Sequence, residues 1–173
     1  MIVPFVDLHQ QYLGLKKEVD ETISDVISNS DFIRGRHIAP FEQEFAALVG
    51  VEHCISCGNG TDALYIAMRA LGTGPGDEVI TTAHSWISTS ETISQTGAQV
   101  VFCDTDIRTF NIDVQQVLEK ITPMTKGIIA VHLCGQPADV DTLRKIADER
   151  GLWLIEDCAQ AHQAILNGKR VGT

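Results

Sequence analysis

The sequence is short of positive charge: thirteen Lys and Arg stand against 23 Asp and Glu, a formal net charge of -10. A surface of that sign repels nucleic acid and anionic membrane, which argues against both as general partners but leaves room for a local cationic pocket. No apolar run approaches the roughly 20 residues that span a bilayer. The opening MIVPFVDLHQQY has no basic stretch leading into an apolar core, so no secretory signal is expected. Internal repeats, low-complexity tracts and Pro/Gly/Ser linkers are also missing. Five cysteines, at 54, 57, 103, 134 and 158, are odd in number and scattered, which fits free thiols in a reducing cytoplasm. The six histidines make no zinc-like spacing with them, so no metal site is expected.

What is present suffices for one domain with a real core. The 173 residues are 44% hydrophobic and 21% charged, ordinary globular usage. Leu8, Tyr12, Leu15, Val19, Ile23 and Val26/Ile27 recur at three- and four-residue steps and predict a first helix. A second helix has Pro40 near its first turn and Gly50 as its stop. From residue 51 short apolar runs alternate with helical patterns: HCISC then 61–71, EVITT then 86–96, QVVFCD then 113–121, KGIIAVH then 139–150, and finally LWLIED. Five strand candidates separated by helices predict an α/β fold with a doubly wound, mostly parallel sheet. The runs are nearly continuous, as in strands covered on both faces. Asn167-Gly168 reads as a hairpin turn. The chain stops soon after it, so a truncated protein is expected, with a helical segment over 1–50 and an incomplete α/β core over 51–173.

In such sheets ligands bind beyond the carboxyl ends of the strands. Gly58-Asn59-Gly60-Thr61-Asp62-Ala63 follows a strand candidate and opens a helix, where free N–H groups face an anion and the Thr61 hydroxyl can reach a phosphate oxygen. The same string also reads as a tight turn in which Thr61 or Asp62 caps the helix. A dinucleotide reading wants an acid at the end of the second strand, but that strand exits at Thr82-Ala83-His84. Trp86 just beyond can cover a flat ring, or it can be a core or interface tryptophan. Glu156-Asp157 ends the run LWLI, where a carboxylate is costly unless partnered. A protonated heterocyclic nitrogen is one such partner, and capping of the following turn is the other reading. Gln160 would share a helical face with Asp157. Cys54-Ile55-Ser56-Cys57 has redox spacing but falls inside a strand candidate, so buried structural cysteines are expected. His84, His132 and His162 lie nearest the strand exits and read as structural polar residues.

A phosphate cradle, a stacking aromatic and a carboxylate for a ring nitrogen on one face suit pyridoxal phosphate. The sequence resembles the sugar aminotransferases of the DegT/DnrJ/EryC1/StrS family, which have the type I aspartate aminotransferase fold. The resemblance is carried by PFVDLHQQY, FIRGRHIAPFEQEFAALVGVEHCISCGNGTDAL, GPGDEVITTAHSWISTSETISQTGAQVVFCDTD, TPMTKGIIAVHLCGQPADVD and LIEDCAQAH. It implies that Gly60 and Thr61 hold the cofactor phosphate with help from the Asp62 N–H, and that Trp86 stacks on the pyridine ring. It implies that Asp157 pairs with the pyridine nitrogen and Gln160 bonds the ring hydroxyl. Cys57, Asn59 and Gln163 depart from the commoner pattern without touching these side chains. Only about the N-terminal half of a family member is present, without the small C-terminal domain. The Schiff-base lysine would lie shortly beyond Thr173.

The resemblance further implies a cytoplasmic homodimer that moves an amino group to a nucleotide-linked keto-sugar, with glutamate the expected donor. Arg34, in a loop before the sheet, is a candidate contact for substrate or partner. Two alternatives stay open: a deoxysugar dehydratase with histidine in place of the lysine, and a relative that binds cofactor or nucleotide sugar without turnover.

Overall fold

Caps set the limits of most helices. The structure, a computed structural model, describes residues 3–173, so Met1 and Ile2 of the helical segment lie outside the described residues. Asp7 accepts a hydrogen bond from the Gln10 N–H at 2.9 Å and starts α1 (Leu8–Asn29), which ends where Ser30 turns left-handed. The second helix, α2 (Ile38–Val49), ends at Gly50 with φ +93°. Asp25 ties the two together through His37 Nε2 at 2.9 Å and Arg36 at 3.7 Å. Asn59, Asp113 and Asp139 cap α3 (Gly60–Ala70), α5 (Val114–Lys120) and α6 (Val140–Arg150), while α4 (Ser88–Thr96) starts without a side-chain cap.

Four parallel strands form the sheet: β1 (Glu78–Thr82), β2 (Gln99–Cys103), β3 (Thr125–Val131) and β4 (Trp153–Asp157), in the order β2-β1-β3-β4. Successive strand residues point to opposite faces. Ile80, Ile128 and Ala130 pack with Val117 of α5 and with Leu143 and Ile146 of α6. Val79, Ile129 and Val131 pack with Leu64 and Met68 of α3 and with Ile93 of α4. Both faces of the central strands β1 and β3 are therefore covered, and their apolar runs are continuous for that reason, while β2 and β4 at the edges are only partly buried. Gly127 pairs with Trp153 across β3 and β4, and the indole fills the space of the missing side chain: a Cβ on Gly127 would lie 2.0 Å from the ring.

The segment 53–57 is not a fifth strand. Ser56 gives its N–H and hydroxyl to the Glu42 carboxylate of α2, at 2.9 and 2.7 Å, and Ile55 is 84% exposed. A strand needs a neighbour for its backbone groups, and this segment bonds a helix side chain instead. At the other end β5 (Ile165–Leu166) and β6 (Lys169–Arg170) form an antiparallel hairpin. Asn167 and Gly168, with φ +48° and +82°, make its left-handed turn. No helix among the described residues is long and apolar enough to cross a membrane.

Candidate active site

A cleft of about 550 Å³ opens between the start of α3 and the end of β4, lined by Gly60, Ala63, Leu64 and Ala67 on one side and Ile155 to Ala159 with His162 on the other. Phe45 of α2 meets His162 edge-on at 6.3 Å and braces it from behind. The fold thus brings the predicted phosphate turn and the predicted carboxylate to one cavity.

At the α3 end, Asn59 Oδ1 accepts from the Asp62 N–H at 2.9 Å, and the Asn59 carbonyl accepts from Ala63 N–H at 3.1 Å. The Asp62 N–H is therefore already bonded, and the Gly60 and Thr61 N–H groups are the helix-start donors without a partner among the described residues. A Cβ on Gly60 would meet nothing within 4 Å, so the backbone there is open to close approach. The Asp62 carboxylate turns back to Asn59 Nδ2 at 3.1 Å. Thr61 Oγ1 bonds Ser88 Oγ at 2.8 Å, joining the turn to the first residue of α4. A serine inside a helical pattern carries no signal of its own, so only the fold reveals the role of Ser88. Trp86 stands two positions before it, 75% exposed rather than in the core.

At the β4 end, Asp157 Oδ1 caps the following turn through the Ala159 N–H at 3.0 Å, and Oδ2 has no partner among the described residues. Capping and ligand binding are thus compatible, because each uses a different oxygen. Gln160 does not share a helical face with Asp157: residues after β4 form tight turns, with Ala161 N–H bonded to the Cys158 carbonyl at 2.9 Å. Gln160 Oε1 accepts from the Cys134 N–H at 2.8 Å, which leaves its amide N–H groups as donors. Arg34 lies elsewhere, in a groove of about 470 Å³ with His37, Ile38, Phe41 and Ser56, and its backbone is left-handed at φ +49°.

Behind Asp157 sits a buried polar cluster. The Ala138 N–H donates to His132 Nδ1 at 2.9 Å, so the proton is on Nε2, which donates to Glu156 Oε2 at 3.0 Å. The Gly172 N–H donates to the same oxygen at 2.9 Å. Burial pushes the Glu156 carboxyl up, but the bonds from His132 and Gly172 and the Arg144 charge outweigh it and hold it below its ordinary value. Donor atoms of His132, Glu156 and Cys158 come within 4.8 Å of one another. They are poorly suited to a cation: Nε2 carries a proton, and burial beside Glu156 and Asp157 pushes the Cys158 thiol up to about 12. His132 reads as structural here, as expected, though as part of a network that no spacing in the sequence reveals.

The expectation of two buried structural cysteines at 54 and 57 is corrected. Cys54 is half-buried, and Cys57 is exposed with its thiol donating to the Asn59 carbonyl at 3.3 Å. Without a strand at 53–57 there is no sheet face to cover them.

The model of the DegT/DnrJ/EryC1/StrS aminotransferase family matches residues 14–173. A UDP-2-acetamido-2-deoxy-3-oxo-D-glucuronate aminotransferase of Pseudomonas aeruginosa is 44% identical over 98% of this chain and 47% of its own length. A pleiotropic regulatory protein of Geobacillus stearothermophilus is 48% identical over 99% of this chain and 46% of its own. The crystal structure of S. venezuelae DesV in complex with a ketimine intermediate superposes with a TM-score of 0.96 at 42% identity, over 99% of this chain and 46% of that one. The chain spans about half the length of the curated relatives it matches. A family model matched over nearly the whole chain, together with relatives above 40% identity, shows that this chain belongs to the DegT/DnrJ/EryC1/StrS aminotransferase family.

Proposed function

We propose that the whole protein binds pyridoxal phosphate in the cleft between α3 and β4 and transfers an amino group from an amino acid, with glutamate the expected donor, to a keto-sugar carried on a nucleotide. Residues 51–173 are the cofactor-binding core in this reading, and the helical segment over 1–50 precedes it. The active form is a cytoplasmic homodimer. The observation that carries the reading is the pairing, across one cavity, of the α3 start at Gly60, where the Gly60 and Thr61 N–H groups have no partner among the described residues, with an Asp157 oxygen that has none among them either.

The residues present fit the cofactor's two ends. Gly60 and Thr61 N–H groups and the Thr61 hydroxyl bind the phosphate, and Ser88 holds that hydroxyl in place. Asp157 Oδ2 holds the proton on the pyridine nitrogen, while Oδ1 stays with the Ala159 N–H and fixes the carboxylate plane. Gln160, anchored by the Cys134 N–H, donates from its amide to the ring hydroxyl. Trp86 covers one ring face and keeps water from it. When bound, pyridoxal phosphate supplies an electron sink for the charge left when the amino acid loses its proton. Similarity to the sugar aminotransferase of Pseudomonas aeruginosa supports the choice of a nucleotide sugar as acceptor.

The test uses protein from the whole gene. Pyridoxal phosphate is added, the mixture is reduced with borohydride, and the modified peptide is mapped by mass. A pyridoxyl group on a lysine shortly after Thr173 is the expected result. Cofactor that binds but is never reduced onto the chain would move the reading to a dehydratase or a binding protein. In Asp157→Ala the affinity should fall roughly 10- to 150-fold, since a hydrogen bond to a charged group is worth about 1.5–3 kcal/mol. An unchanged affinity would remove Asp157 from the site.

A further inference from the structure

We propose that Glu156 is a positioning residue: its Oε2 clasps the chain at Gly172 to the strand that carries Asp157, so that whatever follows Thr173 leaves from a point fixed against the cleft. The inference rests on the reading above for its link to the cofactor. The clasp itself stands on geometry alone.

Glu156 and Asp157 are neighbours on β4, and their side chains take opposite faces of the sheet. Ile155 packs on the α3 side, where Asp157 meets the cleft, and Leu154 packs on the α6 side, where Glu156 lies. One oxygen of Glu156 takes two donors from distant parts of the chain, His132 Nε2–H at 3.0 Å and Gly172 N–H at 2.9 Å. His132 is wholly buried and is fixed twice more: its Nδ1 accepts from Ala138, and its own N–H donates to the Asp157 carbonyl at 3.1 Å. It cannot swing to follow a moving carboxylate, so the position of Glu156 is set by the sheet. On the far side, Val171 is buried and its N–H bonds the Ala164 carbonyl at 3.0 Å. Gly172 has φ +82°, and a Cβ there would lie 3.2 Å from Cys158 Sγ. Glycine therefore lets the backbone come close enough to reach Oε2. A buried carboxylate is costly, and two donors on one oxygen hold it in a single orientation. The result is a link from the end of β3, through β4, to the strand leaving the hairpin.

The test compares Glu156→Ala, Glu156→Gln and Gly172→Ala in the whole protein. Glu156→Ala removes the acceptor. Glu156→Gln can present its carbonyl oxygen where Oε2 sits and keep both bonds. Gly172→Ala strains the clasp from the other side and leaves Glu156 and His132 in place, so it decides the matter should Glu156→Ala fail to fold. Two readouts are taken: amide hydrogen exchange over 164–173, and pyridoxal phosphate affinity set against the fraction that borohydride fixes to the chain. In Glu156→Ala and Gly172→Ala, exchange over 164–173 should rise at least tenfold while amides of β1 and β3 stay protected. The fixed fraction should fall about fivefold with affinity within threefold of the parent, and Glu156→Gln should restore most of both. Unchanged exchange in both variants would overturn the clasp, as would loosening of the whole sheet. A loss of affinity with the fixed fraction intact would overturn its positioning role. If the parent protein itself binds no pyridoxal phosphate, the functional reading falls and the exchange data alone decide the clasp.

Discussion

Glu156 shows how a buried carboxylate becomes useful. Its ordinary pKa of 4.5 is lowered in the fold because bonds from His132 and Gly172 outweigh burial. A group whose folded value is depressed contributes stability above its unfolded value, and that contribution is lost as pH falls through the folded value. The difference in urea midpoint between the parent and Glu156→Gln should therefore be constant above about pH 5 and close as the pH falls below the ordinary carboxylate range. Urea titrations from neutral to acid pH check this, and a gap that widened with acid would contradict it. Asp157, one position on, is bound by a single N–H and keeps an oxygen for the cleft. Two adjacent acids thus differ in use: Glu156 holds the backbone at Gly172, and in the proposed reading the second oxygen of Asp157 meets the cofactor.

At the scale of elements, the exits of β1, β3 and β4 matter because each turn there is held by side chains rather than by length. Thr82 accepts from the His84 N–H at 3.1 Å, and Ser85 bonds Thr89 at 3.0 Å, which frames the loop carrying Trp86. Asn111, buried, accepts from Leu133 N–H at 3.1 Å and donates to the Gln136 carbonyl at 3.0 Å, holding the turn after β3. The pairing of β3 with β4 depends on one glycine. In Gly127→Ala the new Cβ would meet the Trp153 ring, and the half-buried indole must move. Overpacking of this kind costs about 1–3 kcal/mol, so the melting temperature should drop by roughly 3–10 °C. Thermal unfolding followed by circular dichroism measures it, and an unchanged midpoint would show that Trp153 is free to give way.

For the molecule as a whole, the unfinished business is at the N-terminal end. α1 runs for 22 residues without burying one, and Leu8, Leu15, Ile23 and Ile27 are all exposed, as are Phe32 and Ile33 in the loop after it. Exposed apolar surface of that extent marks a contact face. The 173-residue chain should bind a hydrophobic dye strongly and the whole protein weakly, and equal fluorescence from the two would show that nothing covers the face. Much of the α/β core was legible from residue order alone. Four of the five strand candidates form, because an apolar run between two helices has few other ways to bury itself. The caps at Asp7 and Gly50 and the turn at Asn167-Gly168 follow from local backbone chemistry. HCISC has the composition of a strand, but strand formation needs a neighbour, and Glu42 of α2 supplies its hydrogen bonds instead. Gln160 likewise takes its place from Cys134, 26 positions away, rather than from helical spacing to Asp157. The pair of hydrogen bonds that Glu156 Oε2 accepts from His132 and Gly172 has no signature in the sequence. Sequence by itself determined most of the elements, their caps and the family resemblance, since these depend on neighbours in the chain. Tertiary structure alone decided which polar groups find each other, because hydrogen bonds between distant segments exist only once the sheet has brought their donors and acceptors within about 3 Å.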